Sequence, residues 1–225
     1  MNIAIIQARV NSNRLPCKVL MPMAGKSVLE NIINKISESK KIDEIYVATG
    51  YHEVNKPIRL LCFFLNVKCY SGSNDNVLHR FVSLLRENHC NMNDNIVRIT
   101  ADCLFIDPQI IDNMLGLIKD KPYLGNQKNM IDGSDIEIIK AKCLFDALDN
   151  YLFDEHVTLK WKYNNKHLIT YYDYDKDDKS DIHLSLDTLE DYHKIKNIYE
   201  NLYKLNPYFS YNDLLNELKI IGIIK

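Results

Sequence analysis

Three cationic side chains, Arg9, Arg14 and Lys18, lie close together in a loop near the start of the chain. The apolar run 3–6 before them predicts a buried strand, and loops that leave such strands lie where open α/β sheets bind ligands. Like charges held close together at the end of one strand repel each other, and a bound anion offsets this repulsion. Arg and Lys side chains both bind phosphate well. The pattern predicts a polyphosphate-binding loop, with a solvated basic turn as the alternative.

Neutral groups of the same loop add candidate contacts to a nucleotide: Gln7, Ala8, Asn11, Ser12 and Asn13. The better-known phosphate motifs do not occur. Residues 24–27 resemble the end of a Walker A motif, but Leu20 stands where that motif needs a glycine, and the chain has no G-x-G-x-x-G. Phosphate binding therefore rests on side chains.

Asp102 is a candidate metal ligand, because it follows the predicted strand 96–99 almost at once. It should project from the carboxyl end of the sheet, on the same rim as the cationic loop. Mg²⁺ commonly binds through one or two carboxylates together with substrate phosphates. A second acid, Asp187, follows the short run 183–186, although it could instead help to cap the next helix.

Short apolar runs alternate with segments of helical periodicity, which favours βαβ units and a largely parallel sheet. The predicted strands are 3–6, 44–48, 67–70, 96–99, 136–139 and 168–172. The predicted helices are 28–37, 55–65, 77–87, 108–118 and 192–202, and Ser210 with Asp213 indicates another near the C-terminus. Residues 173–181 are expected to form a solvated turn.

Composition is that of an ordinary globular protein: 225 residues, 46% of them hydrophobic, with a formal charge of −2. Such a balance gives no broad electrostatic surface for nucleic acid or membrane, so small-molecule partners are expected. The chain shows no signal-peptide pattern and no apolar run of about 20 residues, which predicts a cytoplasmic protein. Its 6 cysteines have no C-x-x-C spacing, so free thiols are expected and a zinc site is not.

Several motifs in order resemble the cytidylyltransferases that make CMP-activated sugars. The opening matches are Ile-Gln-Ala-Arg at 6–9, Ser-Asn-Arg-Leu-Pro-Cys-Lys-Val-Leu at 12–20 and Gly-Lys-Ser-Val-Leu at 25–29. Further matching blocks are 71–78, 98–108, 132–137, 155–158 and 186–191. The chain is most similar to the branch named for spore coat polysaccharide biosynthesis proteins, related to the CMP-Kdo and CMP-acylneuraminate synthetases.

This resemblance implies a Rossmann-like, three-layer nucleotidyltransferase fold with a mostly parallel, mixed sheet flanked by helices. It implies one domain over 1–225, with a CTP-binding part at about 1–120, an acceptor and dimerisation part at about 121–185, and C-terminal helices at 188–225. The implied reaction transfers CMP from CTP to a small sugar acid or a related hydroxylated or phosphorylated acceptor and releases pyrophosphate. Mg²⁺ would be held by Asp102 and Asp187, and the protein would be a homodimer.

The expected catalytic residues are Arg9, Arg14, Lys18 and Asp102. Two further segments are expected to contact the nucleotide: Ser71, Gly72, Ser73, Asn74 and Asp75, then Thr100 and Ala101. Asn74 and Asp75 could alternatively start the next helix. Candidate acceptor contacts are Asp132, Asp135, Glu137, His156 and His183, with Lys160 and Lys162 as further cations. His156 is also a candidate general base, or a structural histidine.

The chain departs from the family pattern at Cys17 and Ala101, which replace usual glycines, and at Leu104 and Leu189, which replace usual prolines. Because asparagine tolerates left-handed backbone, Asn11 and Asn13 are expected to relieve the loss of the first glycine. Ala101 should have ordinary backbone angles.

Two other functions are compatible with the residues. Asp173-Tyr174-Asp175 has the Asp-x-Asp spacing of nucleotide-sugar glycosyltransferases, and the missing glycines are compatible with a nucleotide-binding protein that does not turn over. An aromatic cluster is a candidate dimer interface or ordinary core: Trp161, Tyr163, Tyr171, Tyr172 and Tyr174.

Overall fold

The computed structural model describes residues 1–150, 156–174 and 177–224. Its strands are β1 (Asn2–Gln7), β2 (Pro22–Met23), β3 (Lys26–Ser27), β4 (Glu44–Gly50), β5 (Lys68–Gly72), β6 (Asn95–Thr100), β7 (Tyr123–Gly125), β8 (Glu137–Lys140) and β9 (Ile169–Tyr171). Its α-helices are α1 (Val28–Ser37), α2 (Lys56–Phe64), α3 (Val77–Glu87), α4 (Pro108–Ile118), α5 (Ala141–Asn150), α6 (Leu159–Asn164), α7 (Leu189–Leu205) and α8 (Tyr211–Ile220).

Seven of these strands form the main sheet, in the order β5-β4-β1-β6-β8-β7-β9, while β2 and β3 pair separately. β8 is antiparallel to both of its neighbours, and the remaining adjacent pairs are parallel. The parallel strands β5, β4, β1 and β6 therefore end at the same edge. The last residues of these four strands, in sheet order, are Gly72, Gly50, Gln7 and Thr100.

Alternation along the central strands creates two separate apolar cores. In β1, Ala4 and Ile6 face one core, whereas Ile3 and Ile5 face the other. Helices α1, α2, α4, α7 and α8 cover the first core, and α3, α5 and α6 cover the second. The result is a mixed, mostly parallel sheet between two layers of helices, which confirms the predicted fold class.

Helices with clear N-terminal signals follow the sequence prediction most closely. The helices predicted at 28–37, 77–87 and 108–118 have the observed bounds of α1, α3 and α4. Ser27 and Asp107 cap α1 and α4, because their side chains accept hydrogen bonds from the backbone N–H groups of Glu30 and Gln109. The capping boxes of α7 and α8 form as predicted, and α7 extends beyond the predicted 192–202 at both ends.

Several elements were not predicted. α5 buries Ala141, Leu144 and Phe145 at helical spacing, a signal that was available in the sequence but not used. α6, β2, β3 and β7 have too few residues to show a periodicity. The described residues of the predicted turn 173–181 lie outside helices and strands, and residues 175–176 lie outside the described ranges.

The aromatic cluster near the end of the sheet divides between core and surface. Trp161 is buried and stacks on Tyr123, with 6.1 Å between the ring centroids. Tyr163 and Tyr171 are exposed.

All six cysteines are free thiols. None of the helices in the described ranges is both long and apolar enough to span a bilayer.

A buried lysine joins the C-terminal helices to the rest of the molecule. Lys35 in α1 is 2% exposed, and its Nζ donates to the carbonyl oxygens of Ile106 at 3.1 Å and Phe209 at 3.2 Å. The ammonium also lies 3.3 Å from the centroid of the Phe209 ring. Burial lowers the pKa of Lys35 to about 7, although Asp107 and Asp213 oppose the shift.

Because this pKa lies below that of an unfolded lysine, the unfolded chain binds more protons between about pH 7 and pH 10. The free energy of unfolding should therefore rise with pH in that range, by at most about 1.4 kcal/mol per pH unit from this group. Urea unfolding at several pH values should show the rise in the wild type and its loss in Lys35→Met. Lys56→Met, at an exposed position, is the control, and parallel pH profiles for wild type and Lys35→Met would contradict the prediction.

Candidate functional site

The loop after β1 folds back on itself around Val10. The Val10 carbonyl accepts hydrogen bonds from the backbone N–H groups of Ser12 at 3.0 Å and Cys17 at 2.8 Å. Its own N–H donates to Oδ1 of Asn55 at 3.0 Å. Val10 and Leu15 are buried and anchor the loop on the first core. This anchoring fixes the loop directly above the carboxyl end of β1.

Cys17 itself takes the left-handed conformation, with φ 61° and ψ 12°. The expectation that Asn11 and Asn13 would provide that geometry is wrong, since neither has a positive φ. A non-glycine residue in this region costs roughly 1–2 kcal/mol. The loop keeps its turn at that cost, and Ala101 has ordinary backbone angles, as predicted.

Lys18 lies at the centre of the site, between the two candidate metal ligands. Its Nζ is 2.8 Å from Oδ2 of Asp102 and 3.1 Å from Oδ1 of Asp187, and it donates to the carbonyl of Leu186 at 2.7 Å. An ammonium has three N–H donors, and these three acceptors match them. The side chain is only 10% exposed, so Lys18 joins residues from three distant parts of the chain.

The charge of Lys18 controls the protonation of Asp102. Burial alone would raise the pKa of Asp102, but the charge and hydrogen bond of Lys18, helped by Thr100, outweigh it. The pKa of Asp102 therefore lies below its usual value. The Lys18 contact therefore favours the carboxylate form of Asp102 against the effect of burial.

Asp187 does not cap the following helix. Thr188 is the N-cap of α7 and forms the capping box with Asp191. The Asp187 carboxylate instead contacts Lys18 and, at 2.8 Å, Nη2 of Arg14, whose side chain is 66% exposed. The backbone N–H of Leu186 donates to the carbonyl of Asp102 at 3.1 Å, which keeps the two acidic segments adjacent.

A cavity of about 320 Å³ opens at this edge of the sheet. Most of the expected phosphate and metal contacts line it together with His156. The full set of lining residues is Gln7, Arg9, Ser12, Asn13, Arg14, Lys18, Val19, Arg98, Thr100, Ala101, Asp102, His156 and Asp187. Val19 and Arg98 were not predicted. The available signal for Arg98 was a charged residue within the apolar run 96–99 of β6.

The segment expected to contact the nucleoside lies outside this cavity lining. Ser71 and Gly72 end β5, and a buried arginine, Arg80, donates to the carbonyls of Ser73 at 2.8 Å and Asn74 at 2.9 Å. Burial lowers the pKa of Arg80 to about 10, and the nearby charge of Arg9 adds to the shift. Arg9 thus lines the cavity and also lies close enough to Arg80 for their charges to interact.

The alternative that Asn74 and Asp75 start α3 is wrong. Asn76 is the N-cap, with its side chain accepting from the N–H of His79 at 2.9 Å. The predicted nucleotide contacts Ala8 and Asn11 also do not line the cavity.

Of the expected acceptor residues, only His156 lines the cavity. Asp132 lies 2.9 Å from Nδ1 of His183 and accepts a hydrogen bond from Ser185 at 2.6 Å. Burial and the proximity of Asp132 raise the pKa of Asp135 to about 7. Glu137 is 2% exposed and lies beneath the cavity surface. Glu155, the first residue of the predicted block 155–158, lies outside the described residues.

Two carboxylates at one edge of the sheet have the chemistry of a magnesium site, since Mg²⁺ prefers hard oxygen ligands and retains water. Among the described residues, no group of three or more His, Cys, Asp and Glu side chains is arranged to hold a metal ion. Asp102 and Asp187 thus fit an ion that takes its remaining ligands from a bound phosphate and water.

Comparison with known proteins gives a consistent result. The family model described as Cytidylyltransferase matches residues 3–219. The chain is 30% identical over 212 residues to the spore coat polysaccharide biosynthesis protein SpsF of Bacillus subtilis, covering 87% of this chain and 85% of that protein. It is 25% identical to the 8-amino-3,8-dideoxy-manno-octulosonate cytidylyltransferase of Shewanella frigidimarina, covering 75% and 62%. A solved cytidylyltransferase from Leptospira borgpetersenii superposes with a TM-score of 0.87 at 26% identity, covering 99% and 95%.

The position of Lys18 between the acids predicts how Asp102 responds when the cation is removed. In Lys18→Met, burial remains while the opposing charge and hydrogen bond are lost, so the pKa of Asp102 should rise relative to the wild type. Carboxyl ¹³C NMR titration measures this pKa directly. Arg14→Met is the control, because Arg14 pairs with Asp187. An unchanged Asp102 titration in Lys18→Met would contradict the prediction.

Proposed function

The chain belongs to the cytidylyltransferase family, whose members use CTP, and from this we propose that it transfers CMP to a small acceptor. The acceptor is a sugar acid or a related hydroxylated or phosphorylated molecule, and pyrophosphate is released. The observation that carries the proposal is the cavity at the carboxyl ends of β1 and β6, where Arg9, Arg14 and Lys18 converge with Asp102.

In this reaction an acceptor oxygen attacks the α-phosphorus of CTP, and the bond to the pyrophosphate oxygen breaks. Negative charge grows on the leaving pyrophosphate, so cations positioned beside it stabilise the transition state. We assign Arg14 and Lys18 to the β- and γ-phosphates and Arg9 to the α–β bridge. The loss of one such contact should cost about 2 to 4 kcal/mol in the transition state.

Family members generally use a divalent metal, and Mg²⁺ is our proposal for this chain, with Asp102 and Asp187 as its protein ligands. When bound, such an ion would polarise the α-phosphate and neutralise charge on the phosphates. Because the three donors of Lys18 match three protein acceptors, Lys18 reaches a phosphate only by leaving at least one of them. Where the contact given up is one to Asp102 or Asp187, triphosphate binding would free a carboxylate oxygen at the same site.

The remaining assignments complete the proposal. The product serves surface polysaccharide synthesis, for example of a spore coat or capsule, in the cytoplasm. Ser71, Gly72, Ser73, Asn74 and Asp75 contact the nucleoside, with Arg80 holding their loop in place. The protein is a homodimer, to which exposed aromatics such as Tyr163 and Tyr171 contribute. The part at about 121–185 provides acceptor and dimer contacts, the part at about 1–120 binds CTP, and the helices at 188–225 complete the domain.

Neither alternative has comparable support. A glycosyltransferase would rely on the Asp173-Tyr174-Asp175 motif, but Asp173 lies outside the cavity lining and Asp175 lies outside the described residues. A nucleotide-binding protein without turnover would explain Cys17 and Ala101. However, Cys17 takes the left-handed backbone that the usual glycine would provide.

Thermal unfolding with each of the four ribonucleoside triphosphates tests the proposal without knowledge of the acceptor. CTP should raise the melting temperature, and Mg²⁺ should increase the shift. A ligand at 100 times its Kd stabilises a protein by roughly 2.7 kcal/mol, enough for a clear change. Asp102→Asn should lose the Mg²⁺-dependent part, whereas Asp120→Asn, at an exposed position, should behave as wild type.

Pyrophosphate release with a panel of sugar acids and sugar phosphates then identifies the acceptor. Stabilisation by another triphosphate or by a nucleotide-sugar, with none from CTP, would refute the assigned reaction.

Competition between Lys18 and the metal ion gives a separate prediction. In the absence of CTP, Lys18→Met should bind Mn²⁺ more tightly than the wild type, because both carboxylates lose their buried cation. Electron paramagnetic resonance of free Mn²⁺ measures the affinity. The double variant Lys18→Met/Asp102→Asn should lose the gain. Equal or weaker Mn²⁺ binding by Lys18→Met would show that Lys18 does not compete for these ligands.

A further inference from the structure

Arg98 occupies the side of the cavity away from the segment expected to bind the nucleoside. That segment, at residues 71–75, begins in the last residues of β5, the strand at one edge of the sheet. Strands β4 and β1 separate β5 from β6, which carries Arg98. Arg98 lines the cavity, and its side chain is 18% exposed. Across the strand pair it lies opposite Glu137 in β8. A ligand that extends beyond the triphosphate towards β8 would meet Arg98.

Glu137 is a buried carboxylate shared by two cations. Nη1 of Arg98 donates to its Oε2, and Nζ of Lys162 lies 2.6 Å from its Oε1. The hydroxyl groups of Tyr123 and Thr158 also donate to it, at 2.6 Å and 2.9 Å. These contacts connect β6, β7 and β8 to the segment that begins at His156 and continues into α6. Glu137 therefore links Arg98, in the cavity wall, to the strands and the helix that pack behind it.

The charges in this cluster do not balance. Within these ion pairs one buried carboxylate faces two cations, of which Arg98 lines the cavity and Lys162 does not. A surplus charge in a partly buried site is unfavourable unless solvent or a counter-ion compensates it. The positions of Arg98 and Lys162 therefore favour an additional anion on the cavity side.

Arg98 also has donors to spare. A guanidinium carries five N–H groups in a planar fork. Besides the bond to Glu137, Nη2 donates to Oε1 of Gln7 at 3.2 Å, and the buried Nε has no hydrogen-bond partner among the described residues. The fork matches the two oxygens of a carboxylate or phosphate. Because Nε is buried, the donors left for a ligand in the cavity are the second N–H groups of Nη1 and Nη2.

We propose that Arg98 binds an anionic oxygen group of the acceptor, carboxylate or phosphate, and that Glu137 is a positioning residue that holds the guanidinium against the cavity. The inference rests on the proposed function, because it presumes that the acceptor occupies the cavity beside CTP. It gives Arg98 a role in acceptor specificity. It also replaces the expectation that Glu137 contacts the acceptor directly, because Glu137 is too buried to reach a ligand.

Arginine side-chain NMR tests this directly, since the chain has only six arginines and Arg98→Lys identifies the Nε–H signal of Arg98. The protein is first saturated with CTP and Mg²⁺, so that the triphosphate site is filled. Acetate and inorganic phosphate are then titrated in parallel. A saturable shift of the Arg98 signal with acetate indicates a carboxylate acceptor, and one with phosphate indicates a phosphorylated acceptor.

Two results would overturn the proposal: an Arg98 signal that responds to neither anion, or one that moves on CTP addition and is then insensitive to both. Failure of CTP to bind would refute the proposed function instead, because the Arg98 signal reports anion binding independently. Arg86→Lys, at an exposed position outside the cavity lining, is the control and should leave the Arg98 response unchanged.

Variants of Glu137 separate positioning from simple electrostatics. Removing its negative charge in Glu137→Gln would tighten anion binding if charge alone mattered. Loss of positioning should instead weaken it, by roughly tenfold, with the CTP affinity unchanged and partial recovery in Glu137→Asp. Tighter anion binding in Glu137→Gln would exclude the positioning role. A circular dichroism spectrum and melting curve for each variant confirm that it is folded.

Discussion

The contact of one buried ammonium with two carboxylates determines the arrangement of the site. Lys18 comes from the first loop, Asp102 from the end of β6, and Asp187 from the segment before α7. Hydrogen bonds between charged groups contribute roughly 1.5–3 kcal/mol each, and a buried charge without a partner costs more. The N-terminal loop, the central sheet and the C-terminal helices therefore take up a defined relation around this ion cluster.

The topology of the sheet makes such a cluster possible. Four parallel strands end at one edge of the sheet. The loops that follow them therefore lie close together, although they are far apart in sequence. The single antiparallel strand, β8, changes the pattern, because its first residue rather than its last lies at that edge. Glu137, on the same face of β8 as Ile139 of the second core, is buried, while Asp102 lines the cavity.

Much of this was accessible from the sequence, for physical reasons. The bounds of α1, α3 and α4 follow from local information, namely apolar spacing and N-terminal caps. The convergence of the cationic loop with Asp102 follows from the rule that parallel strands bind ligands at their carboxyl ends. The helix bounds depend on neighbours in sequence, and the convergence of the loop with Asp102 depends on one topological rule. Short elements such as β7 and α6 carry neither signal.

The sequence did not show which charged side chains pair with one another, because the sign of a charge does not identify its neighbour in the fold. Three cations in one loop predict a phosphate ligand, yet Lys18 contacts two acids that are remote in sequence. Glu137, expected to contact the acceptor, instead binds Arg98 and Lys162.

The two clusters have opposite stoichiometry: two carboxylates share one buried cation at Lys18, and two cations share one buried carboxylate at Glu137. The first has oxygen lone pairs left for a further cation, and the second has N–H donors left for a further anion. A cavity with both properties is compatible with the proposed reaction, in which a metal-bound triphosphate meets an anionic acceptor.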